Sequence, residues 1–339
     1  MIEPSNASSP TAAPQVAIVG LGLIGLSIGL ALKQNEGQQP FVIVGCDKDA
    51  AAADHARKVK AVDRTVSNLV SAAAAADLVI LDLPLPEIRP ALATLAKAVK
   101  PGCVITDTAS LKQPVLQAAA ELLPKQVFFV GGHPVIAESG GDFYKATAAL
   151  FAKRPYCLTV SPTTAAAAVQ VVSDMAERLG ATVLYLDATE HDGVLAGVET
   201  LPAILAAALL TTARQGAWKE AAKMAGAQFE SSTRLSAESA SLLAQVAAHN
   251  RDSVLSWLNL FSQQLDDWRS LVAGGETAAL EAAFSRALSV RGDWMLDRAK
   301  PTIAAETPEL PAHPNLWMRM LGLGGRQLRG EDERAPKKS

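Results

Sequence analysis

Cysteine is scarce in this chain. There are three in 339 residues (Cys46, Cys103 and Cys157), with no C-x-x-C pair. That excludes a disulfide scaffold and a thiolate metal centre of the usual spacing. Cys46 and Cys157 fall in predicted strands and Cys103 starts one, so all three read as buried, inert thiols, which fits a reducing cytoplasm. No charge sign dominates: 31 Lys and Arg stand against 34 Asp and Glu, a net charge of −3. No basic run or face speaks for a nucleic-acid partner. The apolar stretch Leu201 to Leu210 is too short to cross a bilayer alone. Residues 1–14 are rich in Ala, Ser and Pro, without the basic and apolar regions of a signal peptide, and read as a flexible arm. No internal repeat is present. The expectation is a cytoplasmic globular protein whose partner is a small molecule, with no membrane contact. At 49% hydrophobic and 19% charged residues, the chain has room for two domains with a sizeable core.

From 15 to 186, short apolar runs alternate with helical stretches. Strands are predicted at 15–20, 41–46, 77–83, 103–106, 127–131, 155–160 and 181–186, with helices between most of them, such as 86–98 and 163–179. This pattern predicts an α/β domain, a doubly wound parallel sheet covered on both faces. From 187 to 295 the character changes. Ala- and Leu-rich helical segments run over 188–216, 218–225, 236–272 and 276–295, apolar on more than one face. An all-helical domain that buries itself in a dimer follows. The remainder, 296–339, is Pro-rich and then charged, apart from a short apolar piece, Leu316 to Leu321, read either as a docking segment or as a loosely packed tail.

The most informative stretch is Val16 to Gly29. It reads as a buried strand, a glycine turn and the first turns of a helix, and its Gly20, Gly22 and Gly25 spell G-x-G-x-x-G. In that setting the three glycines serve a tight turn, close approach of backbone to a pyrophosphate, and helix-on-strand packing. The bare N–H groups at the helix start, around Leu23 and Ile24, meet the phosphate charge. A second apolar run ends in Asp47, 22 residues after Gly25. An acid there accepts hydrogen bonds from both ribose hydroxyls of NAD and repels the 2′-phosphate of NADP. NAD is therefore the expected cofactor.

Ligands of an open parallel sheet sit beyond the carboxyl ends of its strands, so polar residues just after predicted strands are the other candidates. Leu83-Pro84-Leu85-Pro86 forms either a wall against the adenosine or nicotinamide, or a simple turn. In Thr106 to Lys112, Thr108 reads as a helix N-cap, Ser110 as a partner for a substrate hydroxyl or a second cap, and Lys112 as a long cation near a ligand mouth. Gly131-Gly132-His133-Pro134 places one of five histidines at a strand end. Oxidising an alcohol by hydride transfer needs a base for the hydroxyl proton, and His suits neutral pH.

These pieces together resemble the prephenate/arogenate dehydrogenase family of tyrosine biosynthesis over about 16–295. The resemblance rests on Gly20 to Ser27, Asp107 to Lys112, Gly132-His133-Pro134 leading to Glu138, Glu190-His191-Asp192, Leu201-Pro202, Phe229 to Arg234, Asn250 and Arg291. It implies His133 as the catalytic base, Ser110 as its helper and Arg234 as the clamp for a substrate carboxylate. It also places Glu138, Thr200 and Lys112 in the substrate pocket. A homodimer joined through the helical domains is implied, as is oxidation of the ring hydroxyl with loss of CO₂. The family's usual Ser-His-Leu-Pro-His segment reads Glu199-Thr200-Leu201-Pro202-Ala203 here, so Thr200 and Ala203 stand where histidines are usual, and Ser231 stands where Asp is usual. These changes leave the cofactor residues intact and keep two other readings open. One is a related hydroxy-acid dehydrogenase, against which counts the absence of Lys between Lys153 and Lys219. The other is a catalytically weak NAD-binding protein. No chorismate mutase segment is expected, nor an ACT domain in the tail.

Overall fold

The computed structural model describes residues 13–34, 41–136, 142–161, 164–216, 218–235 and 240–299. Glu138 and the apolar piece at 316–321 lie outside these residues. Contacts divide the chain into two units, which part after Leu186.

The first unit is an eight-stranded sheet. Its strands are β1 (Gln15–Val19), β2 (Val42–Cys46), β3 (Arg64–Val66), β4 (Leu78–Leu81), β5 (Val104–Asp107), β6 (Phe128–Pro134), β7 (Pro155–Thr159) and β8 (Thr182–Tyr185). They lie in the order β3-β2-β1-β4-β5-β6-β7-β8. β1 and β4 are buried along their whole length, which is why they read as unbroken apolar runs: both faces are covered by helices. The first helix, α1 (Leu23–Gln34), is apolar nearly all round. It packs so close to the segment leading into β3 that a Cβ at Gly29 would stand 2.6 Å from the Ala61 carbonyl oxygen. Its buried Ser27 is satisfied, donating to the Leu23 carbonyl at 2.6 Å and accepting the Thr147 N–H at 3.0 Å.

The sheet is not wholly parallel, as the sequence pattern led us to expect. β7 runs antiparallel to β6, and β8 is parallel to β7. Between β6 and β7 the described residues hold one 3₁₀ turn, Phe143–Lys145, and no crossover helix. A parallel return needs such a crossover. β3, only three residues at the sheet edge and led by Arg64, had no apolar run to announce it. β6 also runs on through Gly131-Gly132-His133-Pro134, residues that read as strand breakers.

The described residues of the second unit, 187–216, 218–235 and 240–299, contain no strand. Asp187 caps α7 (Ala188–Leu195), accepting from the N–H of Thr189 at 2.8 Å. A π-helical turn, Ala196–Thr200, carries the helix into α8 (Leu201–Ala213). Pro202 has no N–H to continue the ladder, and the Leu201 N–H reaches back to the Ala196 carbonyl instead. α9 (Trp218–Met224), α10 (Ala227–Ser232), α11 (Ala240–His249), α12 (Arg251–Gly274) and α13 (Thr277–Ala299) follow. The helix expected over 236–272 is thus broken at Asn250, and α10 was not anticipated. At the break, the Asn250 side chain donates to the Asp192 carbonyl at 2.6 Å. Gly197 lies under the Trp257 indole, where a Cβ would come within 2.5 Å of the ring. The Trp257 Nε1 donates to the Gly193 carbonyl at 2.9 Å.

The run from Ala188 to Ala213 is long and apolar enough to cross a membrane, with 28% of its most apolar window buried. It also carries Glu190, His191, Asp192 and Glu199, and its His191 Nδ1 lies 2.8 Å from Asp192 Oδ1.

Candidate active site

The glycine turn joins β1 to α1 at the carboxyl end of the sheet. Gly20 has φ +92°, and a Cβ there would fall 1.9 Å from the Asp82 carbonyl oxygen. Gly25 lies over the turn, where a Cβ would stand 2.1 Å from the Gly20 oxygen. Gly22 differs: a Cβ there would meet only Asp82 Oδ2, at 3.6 Å, an ordinary contact. Gly20 and Gly25 are therefore required by the fold, whereas nothing in the protein presses on Gly22. Space is left above it for a ligand to lie against the backbone.

The hydrogen bonds around the turn agree with a nucleotide seat. Gly20 N–H donates to the Cys46 carbonyl at 2.8 Å, and Leu26 N–H closes the first helical turn on Gly22 at 3.0 Å. The N–H groups of Leu23 and Ile24 find no acceptor outside the helix among the described residues. Two donors at a helix start suit a pyrophosphate. Asp47, at the end of β2, accepts the Leu21 N–H at 2.5 Å and the Asp49 N–H at 2.7 Å. These bonds lock its carboxylate beside the turn, where a ribose would lie. Leu83 and Pro84 follow β4, and Pro84 takes the N-cap position of α4 (Leu85–Leu95).

Two residues here were missed or misread. Asp82, to which the sequence pattern assigns no role beyond the predicted strand 77–83, points its carboxyl at the turn: Oδ2 accepts the Gly25 N–H and Oδ1 the Thr108 hydroxyl, each at 2.7 Å. Burial pushes this carboxyl up, against the pull of those two bonds, and the charge of Asp47 pushes it further. Thr108 is consequently not a helix cap. α5 (Gln113–Leu122) starts five residues later, and the Thr108 hydroxyl is spent on Asp82.

The second cluster lies where β5 and β6 end. Lys112 is fully buried and ion-paired with the equally buried Asp107. It does not stand at a ligand mouth as a free cation. Its Nζ also donates to the Gly132 carbonyl at 2.6 Å, while the Gly132 N–H donates to Asp107 Oδ1 at 3.1 Å and the Ala109 N–H to Asp107 Oδ2 at 3.1 Å. Burial holds the Asp107 carboxyl above its ordinary range despite the pull of Lys112. The pair thus grips both backbone polar groups of Gly132, the residue before His133. His133 itself is buried, the penultimate residue of β6, opposite Cys157. Gly131 and Gly132 are needed for this approach: a Cβ would stand 2.3 Å from Thr159 Oγ1 at the first and 2.6 Å from the Asp107 carbonyl oxygen at the second. Ser110 is half-buried in the segment between β5 and α5.

In the second unit, Arg234 is exposed just after α10. Thr200 closes the π-helical turn, buried, its hydroxyl without a hydrogen-bond partner among the described residues. The three cysteines are buried, as expected, with no disulfide among them, and burial pushes the Cys103 thiol up to about 12. Among the described residues no group of three or more His, Cys, Asp or Glu side chains could hold a metal ion.

Two family models match the chain: the nucleotide-binding domain of prephenate dehydrogenase over residues 28–185 and its dimerization domain over 187–286, together more than half of the sequence. Prephenate dehydrogenase of Bacillus subtilis (strain 168) is 29% identical over 307 residues, covering 89% of this chain and 82% of that protein. Cyclohexadienyl dehydrogenase of Zymomonas mobilis is 29% identical over 280 residues, covering 81% of this chain and 94% of that protein. The crystal structure of Synechocystis arogenate dehydrogenase superposes with a TM-score of 0.72 at 25% identity, covering 83% of this chain and 99% of that one.

Proposed function

Because the chain belongs to the prephenate/arogenate dehydrogenase family, we propose that it catalyses NAD-dependent oxidative decarboxylation of prephenate or arogenate, giving 4-hydroxyphenylpyruvate or tyrosine. Bound NAD⁺ supplies the hydride acceptor. His133 takes the proton of the ring hydroxyl, with Ser110 as its hydrogen-bonding helper. Arg234 holds a carboxylate through its planar fork, and Thr200 offers its hydroxyl to the substrate. Aromatisation of the ring drives loss of CO₂, so positioning is the protein's main task. Glu138 keeps its substrate role as part of this reading. Lys112 does not: it works through Gly132, as a positioning residue.

The observation that supports this most is the grip of Asp107 and Lys112 on Gly132. It spends a buried ion pair on fixing the backbone beside one histidine, which a merely structural strand end does not need. The deciding assay uses the purified chain with NAD⁺ or NADP⁺ and with prephenate or arogenate, following the near-ultraviolet absorbance of reduced cofactor. Reduction of NAD⁺ by one of the two acids is the expected result, and no reduction by either would end the proposal. In the same assay, Arg234→Ala is expected to raise KM about 10- to 100-fold, the value of a lost charge-assisted hydrogen bond, with a smaller change in kcat.

Gly22→Ala separates seat from scaffold. Its methyl group meets no protein atom closer than 3.6 Å. The expected outcome is an unchanged melting temperature with NAD affinity reduced by about tenfold or more, read by calorimetric titration. A destabilised protein with normal affinity would contradict it.

The helical unit forms the homodimer in this reading. Leu260, Leu265, Phe284, Leu288 and Trp294 on α12 and α13 are exposed in the single chain, more apolar surface than an isolated helical unit leaves to water. In the same reading the apolar run of α7 and α8 makes protein contacts rather than crossing a bilayer, and the enzyme is cytoplasmic.

A further inference from the structure

We propose that this chain takes up a proton at Asp82 when it binds NAD, so that the dinucleotide is held beside a carboxylic acid rather than a carboxylate. The inference rests on the cofactor reading and is independent of which acid is oxidised. β4 neighbours β1 in the sheet, with Leu81 in register with Val19, so Asp82 emerges beside the glycine turn. Its Oδ2 already takes the Gly25 N–H, and it is the nearest protein atom to a Cβ built on Gly22. The start of α1, the part of the fold best suited to a pyrophosphate, is therefore partly occupied by an acid of the protein's own. Two anions cannot share that helix start without mutual repulsion, and the side chain escapes it by becoming neutral.

The surroundings favour that escape. From α1 the Gly25 N–H, and from the segment after β5 the Thr108 hydroxyl, stabilise the anion. Asp47, from the end of β2, repels it, and Tyr156 on β7 feels its charge across the core. Asp107, one residue before Thr108, is engaged with Lys112 and Gly132. No cation acts on Asp82 among the described residues. Burial raises the carboxyl before any ligand arrives. The hydrogen bonds survive protonation. A proton on Oδ1 donates to Thr108 Oγ1, whose own hydrogen turns to the Leu81 carbonyl, 3.5 Å away. Oδ2 continues to accept Gly25. The proton comes from solvent and returns to it on release.

Binding then tightens as pH falls and weakens as pH rises, by up to about tenfold in Kd per pH unit once the free carboxyl is ionised. The test is calorimetric titration of the full chain with NAD⁺ between about pH 6 and 9, in pairs of buffers of different ionisation enthalpy at each pH, Pipes and imidazole at the acid end and Tricine and Tris at the alkaline end. The wild type is expected to take up as much as one proton per NAD at the alkaline end. Asp82→Asn keeps the shape and can satisfy both neighbours, and it is expected to bind NAD with no proton uptake and a flat pH dependence. Thr108→Val removes a bond that favours the anion and is expected to move the onset of weakening to higher pH. Binding by the wild type with no proton uptake anywhere in the range would overturn the proposal and leave the cofactor reading standing, as would uptake that persists in Asp82→Asn. A chain that binds no NAD at any pH would overturn both.

Discussion

His133→Asn is expected to lower turnover of prephenate or arogenate by about 10²- to 10⁴-fold, the usual worth of a positioned general base, while NAD binds with unchanged affinity. The loss should fall equally on kcat and kcat/KM, because proton transfer belongs to the transition state and not to binding. Asn suits the place: it is smaller, still polar, and lies on a strand whose ladder to β7 is made by backbone groups. The Asp107–Lys112 pair holds the Gly132 backbone, and the substitution leaves those bonds in place. Full turnover by the Asn variant would remove His133 from the chemistry. A parallel loss of NAD affinity would show that the substitution had disturbed the strand instead.

Lys112→Met is expected to be the most destabilising single change, by about 3–5 kcal/mol. Met fills much the same volume but leaves Asp107 buried with backbone N–H groups alone to support its charge. In the wild type the two charges are desolvated together. With one gone, the remaining carboxyl is pushed further up and must protonate or drag the strand ends apart. The sign of the pH effect follows. A carboxyl whose folded pKa is raised contributes stability that is fully present below its unfolded value, near 3.9, and is lost as pH rises through the folded value. The deficit of Lys112→Met should therefore be small near about pH 5 and grow towards about pH 8, by up to about 1.4 kcal/mol per pH unit. Urea unfolding of both proteins across that range checks it. A deficit independent of pH would mean that lost packing, not the stranded carboxyl, is responsible.

Much of the first unit was legible because parallel strands covered on both faces are mostly apolar: β2 and β4 are so throughout, β1 after Gln15, and β5 in its first half. Direction was not legible. The run that forms β7 reads like those of the parallel strands, and what goes with its reversal is a property of the connection, whose described residues hold no crossover helix. β3 has too few residues to leave a pattern. The Gly-Gly-His-Pro stretch looked like the end of a strand because glycine and proline usually are. Here the glycines are what allow Thr159 and the Asp107 backbone to come close enough for the strand to continue. The glycine turn and Asp47 were readable as a motif. Lys112 was misread because a lone lysine is normally a surface cation, although its signal was present: an acid closing a strand five residues earlier, and a glycine pair one helix later in the next strand. Asp82 was overlooked because its meaning depends on β4 lying beside β1, an adjacency that composition does not disclose.

Asp107 and Thr108 are consecutive residues, yet one holds the Gly132 backbone beside His133 and the other, through Asp82, holds the first turn of α1. A single peptide bond thus serves as the ruler between the backbone beside His133 and the glycine turn. In the roles proposed for them, the spacing that hydride and proton removal both require is machined into the apoprotein before any ligand arrives.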